Sequence, residues 1–382
     1  MKAVRLLEFG GQLVFDDVPA PAIARDEILV KIKSTAVNHL DLVKASGTLR
    51  QILPIDLPWI PGHEFSGIVE QIGSDVAAYA PGDAVFGTSG LGAYAEFLAV
   101  KPATIVRKPS NLSFEEAASV PVASQTAWEG IFTHGYLEKG QAILIHGGAG
   151  AVGAYAVQLA SHAGASVIVT ASGDNEAYVK SIGASRVINY REAQFESVLR
   201  EKVDMVFDLI GGDTQKRSFL VLKEGGHLVA TTQPVSQEEA ARHRVSGAMM
   251  RLAPSADMLE KIARLLERGD DTARRRERVR APGCGRGLEG HRREPASGSW
   301  NVAQLAGSGK TQVTRQDRAS CGLEIARTRF ISSAGHNQAI HHQGAKETYD
   351  DHLRNHRQHT SGPVLRKARS MDSSGAWEER RD

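Results

Sequence analysis

Three glycines, Gly148, Gly150 and Gly153, stand in G-x-G-x-x-G spacing within the stretch QAILIHGGAGAVGAYAVQLA, residues 141–160. A glycine at the first position permits a tight turn, and one at the second lets the backbone approach a pyrophosphate. At the third, it lets the following helix pack close to the preceding strand. Ala151 and Val152 then head that helix, where unpaired N–H groups face an anion. The chemistry on offer is capture of a dinucleotide. A lone G-x-G-x-x-G is a weak signal, because glycine turns are common, but here both confirming elements flank it. Residues 142–146 are apolar or β-prone and read as a buried parallel strand. Ala154, Val157, Gln158 and Ala160 lie on a strong helix former with small residues facing inward. A second glycine run, Ala306-Gly-Ser-Gly-Lys310-Thr311, is rejected as a phosphate loop: Gln304 stands where its first glycine belongs, and no strand precedes it.

The elements that must carry the fingerprint follow a βαβ rhythm. Strands are expected at 166–171, 186–189, 203–209 and 226–231, with helices at 175–182, 195–202 and 214–223 between them. Ser113 and Glu116 form an S-x-x-E capping box that opens a helix, and 124–136 is a second helix leading into the fingerprint. Met258, Leu259, Ile262, Leu265 and Leu266 form the apolar stripe of a last helix, 256–267. Upstream, residues 1–110 alternate β-prone runs (1–7, 12–18, 27–36, 65–72, 84–87 and 93–100) with Gly/Pro turns, the pattern of a small antiparallel β domain. The expected fold is α/β: a small antiparallel β domain at 1–115 and a doubly wound parallel sheet at 116–269.

Near residue 270 the composition changes. Residues 1–270 hold 25 Lys+Arg against 31 Asp+Glu, whereas 271–382 hold 21 against 13, with 18 arginines and only three lysines. Leu, Ile, Val and Phe number 13 among those last 112 residues, under the roughly 20% below which a chain struggles to form a core. Residues 270–382 are therefore expected to be a disordered basic tail. Its histidines, at 336, 341, 342, 352, 356 and 359, lack the ordered scaffold that a metal site requires. Arginine-rich, lysine-poor sequence is what a GC-rich gene yields out of frame, so a frameshift near codon 270 is the favoured account. A nucleic-acid-binding tail is the alternative, but it has few aromatics to stack on bases, and no nucleic-acid partner is expected. No apolar run reaches the ~18 residues of a membrane span and no signal sequence is visible, so a cytoplasmic protein is expected.

Residues 1–268 resemble the medium-chain dehydrogenase/reductase superfamily, in its quinone-oxidoreductase-like, NADP-dependent branch. The likeness rests on Ala36-Val-Asn-His-Leu-Asp41, Ile60-Pro-Gly-His-Glu-Phe-Ser-Gly67, Pro81-Gly-Asp83, Gly92-Ala-Tyr-Ala-Glu96, His146-Gly-Gly-Ala-Gly-Ala-Val-Gly153, Val187-Ile-Asn-Tyr190 and Phe207-Asp-Leu-Ile-Gly-Gly212. It implies a GroES-like barrel with substrate contacts, a Rossmann domain holding nicotinamide, and an active site in the cleft between them. Zinc-dependent members bind their catalytic metal through Cys, His and Cys. Here Asn38 falls at the first cysteine position and Val122, judged from the following Thr126, at the second, leaving His63 and Glu64. No metal is therefore expected. Without a Lewis acid, hydride delivery suits an acceptor that delocalises its own charge, a quinone or an α,β-unsaturated ketone. Asn38 is the candidate donor to the substrate carbonyl, or else caps a local turn. Asp41 orients this segment, and Thr126 completes the candidate catalytic set. At the end of the second Rossmann strand Thr170-Ala171-Ser172 offers hydroxyls and no acid, which, with Tyr190, Lys180 or Arg191, suits the 2′-phosphate of NADPH; Asp174 argues the other way. Competing readings are a zinc alcohol dehydrogenase with unusual ligands and an inactive frameshifted product. A homodimer is one admissible assembly.

Overall fold

The computed structural model describes residues 1–90, 92–268 and 299–301. Strands β1 (Lys2–Leu6) and β2 (Leu13–Asp17) form an antiparallel hairpin. The first domain is then built from β3 (Ile28–Ala36), helix α1 (His39–Ala45), β4 (Glu64–Ile72), β5 (Ala84–Thr88), β6 (Phe97–Val100) and β7 (Ile105–Arg107). Every pairing in this sheet is antiparallel. Its core gathers alternate residues of each strand, Val30 and Ile32, Phe65 and Val69, with Val85 and Ile105, as expected of strands with one face turned inward.

Two helices lead out of it: α2 (Phe114–Ala118), which opens with the expected reciprocal Ser113–Glu116 box, and α3 (Pro121–Trp128). After α3 the chain widens into a π-helical stretch, Glu129–His134, so the helix expected over 124–136 is regular only in its first part. The second domain runs through β8 (Ala142–His146), α4 (Ala151–His162), β9 (Ser166–Ala171), α5 (Glu176–Ser181), β10 (Arg186–Asn189), α6 (Phe195–Val198), β11 (Val203–Asp208), α7 (Gly212–Ser218), β12 (Leu222–Ala230), α8 (Gln237–Arg242), β13 (Ser246–Met249) and α9 (Ala256–Arg268). Its strands lie in the order β10-β9-β8-β11-β12-β13, all parallel. The order reverses between β8 and β11, which places the end of β8 at a topological switch point, where open α/β sheets bind ligands. Both faces of β8 are buried: Ile143 and Ile145 join a core with Tyr155, Val169 and Phe207, and Leu144 joins one with Val206 and Leu228. The stripe on α9 buries Leu259, Ile262 and Leu266 as expected.

The expected parallel strands end at 226–231, yet one more, β13, pairs there in parallel, Leu228 opposite Gly247 and Val229 opposite Ala248. Ser246-Gly-Ala-Met249 has no apolar run to mark it as a strand; hydrogen bonding along β12 makes it one. In the stretch from 270 onward, β14 (Ser299–Asn301) pairs antiparallel with Ser34–Ala36 of β3. The expectation of a disordered tail over the rest of 270–382, and the frameshift account with it, lies outside the described residues.

Candidate active site

The fingerprint turn joins β8 to α4, and its three glycines meet different surroundings. A Cβ at Gly153 would lie 2.3 Å from the Gly147 carbonyl oxygen and 2.7 Å from the Gly148 Cα, so helix and turn touch backbone to backbone. A Cβ at Gly148 would lie 2.1 Å from the Val169 Cγ1 of β9. At Gly150 it would meet only the Gly147 oxygen, at 3.4 Å. Packing accounts for Gly148 and Gly153; nothing in the protein requires Gly150 to be bare. Gly150 caps α4 with extended backbone and no capping side chain, so the N–H groups of Ala151, Val152 and Gly153 head the helix without side-chain partners from their cap. An open face at the second glycine and free donors at a helix start fit a pyrophosphate.

Thr170 does not line that cradle. It is buried, and its hydroxyl accepts from the Gly147 N–H at 3.3 Å and pairs with His146 Nδ1 at 3.1 Å. The other His146 nitrogen meets the Ser218 hydroxyl at 3.0 Å. Burial, and secondarily Arg217, lowers the His146 pKa to about 3, so the imidazole is a neutral brace between β8, β9 and α7. Ser172 is also buried and accepts from Asn175 Nδ2 at 2.9 Å. The groups reaching outward at this corner are Tyr190, exposed beyond β10, and Arg191, whose guanidinium lies 5.9 Å from the Tyr190 ring centre and 3.7 Å from the Asp174 carboxylate.

The second cluster forms where α1, β4 and α3 meet. Asn38 caps α1 and its backbone N–H donates to Asp41 Oδ2 at 2.8 Å. Asp41, buried, also accepts from the Gly62 N–H at 3.1 Å, from His63 Nδ1 at 2.7 Å and from the Tyr94 hydroxyl at 3.2 Å. Burial and the Asp41 charge push the Tyr94 phenol well above its usual range. The far nitrogen of His63, Nε2, lies 2.8 Å from Lys44 Nζ. Burial lowers the Lys44 pKa, partly countered by Asp41. Glu64 spans the domains, accepting from Asn38 Nδ2 at 2.9 Å and from the Val122 N–H of α3 at 2.7 Å. Burial raises its pKa to about 7 despite those two donors. Thr126, one turn on, donates to the Val122 carbonyl at 2.7 Å.

The structure therefore brings Asn38, Asp41, Thr126, His63 and Glu64 to one junction, and α3 packs on α4, the helix of the fingerprint. One Asn38 amide hydrogen is committed to Glu64. Lys44 was missed by the sequence reading. Its signal was the spacing Asp41-x-x-Lys44, which on a helix stacks both side chains on one face. Among the described residues, no group of three or more His, Cys, Asp or Glu could hold a metal ion, and no helix is long and apolar enough to cross a membrane.

An antiparallel barrel domain, a doubly wound sheet with a dinucleotide turn at its switch point, and a polar cluster between them define a two-domain nicotinamide-dependent oxidoreductase. Residues 24–110 match the alcohol dehydrogenase GroES-like domain, and residues 151–261 match the zinc-binding dehydrogenase family. The chain is 35% identical to 2-methylene-furan-3-one reductase of Solanum lycopersicum over 70% of each chain. It is 33% identical to the chloroplastic NADPH-dependent alkenal/one oxidoreductase of Arabidopsis thaliana, again over 70% of each. The quinone oxidoreductase structure from Coxiella burnetii superposes with a TM-score of 0.65 at 33% identity, covering 70% of this chain and 88% of that one. The chain belongs to the medium-chain dehydrogenase/reductase superfamily, in its quinone-oxidoreductase-like branch.

Proposed function

We propose that this chain is a zinc-independent reductase of quinones and α,β-unsaturated carbonyl compounds that takes its hydride from NADPH. The observation that carries the proposal is the state of His63. Both its nitrogens are engaged by protein groups, Asp41 and Lys44, while Asn38 and Val122 stand where zinc-dependent members have cysteines. Both oxygens of Glu64 are likewise occupied. These residues do not fit a tetrahedral zinc site, which needs at least three good ligands. An alkoxide developing from a simple alcohol would lack a Lewis acid, whereas a conjugated carbonyl spreads the incoming charge itself.

The cofactor fits the chain. Ala151, Val152 and Gly153 would hold the pyrophosphate with their N–H groups, and Gly150 would let it approach. When bound, the reduced nicotinamide supplies the hydride. Arg191, stacked near Tyr190, offsets the Asp174 carboxylate and offers a cation to a 2′-phosphate, which favours NADPH over NADH. The relatives' names agree in kind: an alkenal/one oxidoreductase that is NADPH-dependent, and a quinone oxidoreductase.

The test is consumption of NADPH and of NADH with 1,4-benzoquinone and cyclohex-2-enone, before and after exhaustive chelation. Activity that survives chelation, with the higher kcat/KM for NADPH, is expected. Loss of activity on chelation with recovery on adding zinc overturns the metal-free mechanism, and a kcat/KM ratio in favour of NADH overturns the cofactor assignment.

A further inference from the structure

We propose that the Lys44 ammonium is the acid that polarises and protonates the substrate carbonyl, set in place by His63 where zinc-dependent members of the superfamily place a metal. The inference rests on the reductase reading above and names the group that performs its proton step.

Hydrogen bonding around His63 assigns the roles. Asp41 Oδ1 accepts from Nδ1–H at 2.7 Å, and a ring with its hydrogen on Nδ1 presents a lone pair at Nε2. Lys44 Nζ, 2.8 Å from Nε2, is placed to donate to that lone pair. An ammonium carries three N–H bonds, and His63 takes one. Among the described residues no carboxylate lies within ion-pairing distance of Lys44, whereas most other lysine contacts here are ordinary pairs, such as Lys180 with Glu176 and Lys223 with Asp204. Lys44 is half-buried. A cation aimed by the His63 imidazole, half-withdrawn from water and without a direct counter-ion, is arranged to meet an anion that arrives later. The oxygen of an enolate is such an anion. A structural lysine on a helix surface is ordinarily fully solvated or salt-bridged, and Lys44 is neither.

The step balances as follows. The β-carbon of the enone accepts hydride from the reduced dinucleotide, which is thereby oxidised. The alkene pair becomes the new double bond between the α-carbon and the carbonyl carbon, and the carbonyl π pair moves to oxygen. One Lys44 N–H bond breaks, its electron pair staying on nitrogen, and the proton joins that oxygen. The enol ketonises with water, and Lys44 regains its proton from solvent on its exposed side. Among the described residues, the titratable groups facing Lys44 are Asp41 on its own helix and His63, which immediately precedes β4; Tyr94 acts on it through Asp41. Because Lys44 must start protonated, and burial has lowered its pKa, kcat should fall on the alkaline side at a pH below that of an ordinary lysine.

The test combines single-turnover reduction of cyclohex-2-enone by the NADPH-loaded full chain with the carbonyl ¹³C shift of labelled cyclohexanone, which is not reduced at a C=C bond, bound beside NADP+. Lys44→Met should slow hydride transfer by about 10²- to 10³-fold, the scale set by losing one carbonyl-polarising donor. NADPH affinity should be unchanged and the alkaline limb lost, with Lys44→Arg recovering part of the rate. The bound ketone should resonate downfield of its position in water, and Lys44→Met should return it. A Lys44→Met rate within threefold of the parent overturns the assignment while leaving the reductase reading intact. If Lys44→Met does not fold, the parent protein decides alone: a ketone resonance at its free position overturns the proposal. A chain that binds and shifts the ketone but reduces no enone supports the Lys44 contact and overturns the reductase reading.

Discussion

Replacing Gly150 separates ligand contact from packing. Its φ of −74° is open to any residue, and a Cβ there would approach nothing closer than 3.4 Å. Gly150→Ala removes backbone freedom from the unfolded chain, a gain of about 0.4–1 kcal/mol. Alanine is also a poorer helix cap than glycine, a loss of similar size. Folding stability should therefore hold within about 1 kcal/mol. Gly150→Val adds two methyl groups on the open face where the pyrophosphate must lie, and NADPH should bind at least tenfold more weakly, ~1.4 kcal/mol. Gly153→Ala is the contrasting control. Its Cβ would press on backbone at 2.3 and 2.7 Å, which cannot give way cheaply, so ~1–3 kcal/mol of stability should go along with the affinity. Thermal unfolding with and without NADPH reads both quantities. At a hundredfold excess over Kd the cofactor stabilises by about 2.7 kcal/mol, and a tenfold weaker site by about 1.4, so the NADPH-induced rise in Tm should roughly halve in Gly150→Val. If Gly150→Val keeps the parent affinity, the turn does not hold a pyrophosphate. If Gly150→Ala destabilises the free protein as much as Gly153→Ala does, Gly150 is a packing residue after all.

Further outcomes follow from the two clusters. Arg191→Ala should raise the KM for NADPH by about tenfold and leave that for NADH nearly unchanged, since removing one phosphate contact costs on the order of 1.4 kcal/mol; Tyr190→Phe should weaken NADPH more than NADH. Equal effects on both cofactors would remove the 2′-phosphate from this corner. Glu64, with a folded pKa raised to about 7 against an ordinary 4.5, favours the protonated fold. Its contribution is complete below about pH 4.5 and is lost as the pH rises through 7, by roughly 3 kcal/mol at most. Glu64→Gln should flatten that loss, measured as urea unfolding at pH 5 and pH 8; parallel pH curves for parent and variant would show that Glu64 does not carry it.

The parts of the fold legible in the sequence are those set by local rules. Ser113 and Glu116 announced α2, and the spacing of Leu259, Ile262 and Leu266 announced the buried face of α9. The glycines of the fingerprint were read from spacing alone, and the structure separates their duties. What the sequence hid was decided by distant partners. The strand Ser246–Met249 is a strand because β12 lies beside it. Thr170 was assigned to the cofactor from its position at the end of β9, but the buried imidazole of His146, which the sequence leaves free to do anything, turns its hydroxyl inward. No helix was expected between 36 and 65, yet Asn38 and Asp41 form the capping box of a short one. That helix is what carries Lys44 under His63, so missing the helix meant missing the lysine.

The pairing of β14 with β3 has a consequence in time. The chain emerges from its N-terminus, and every strand of the parallel sheet lies between Ala142 and Met249, so the dinucleotide half can close once α9 is made. The barrel waits longer. Ser34–Ala36 is synthesised early, yet the segment that hydrogen-bonds it, Ser299–Asn301, arrives after the whole second domain. Through that interval the older domain carries an open strand edge on the nascent chain, the kind of surface that pairs with strangers or is held by chaperones. Stalled nascent chains ending before and after residue 301 would differ in protease sensitivity at β3 if this edge is what the late segment closes.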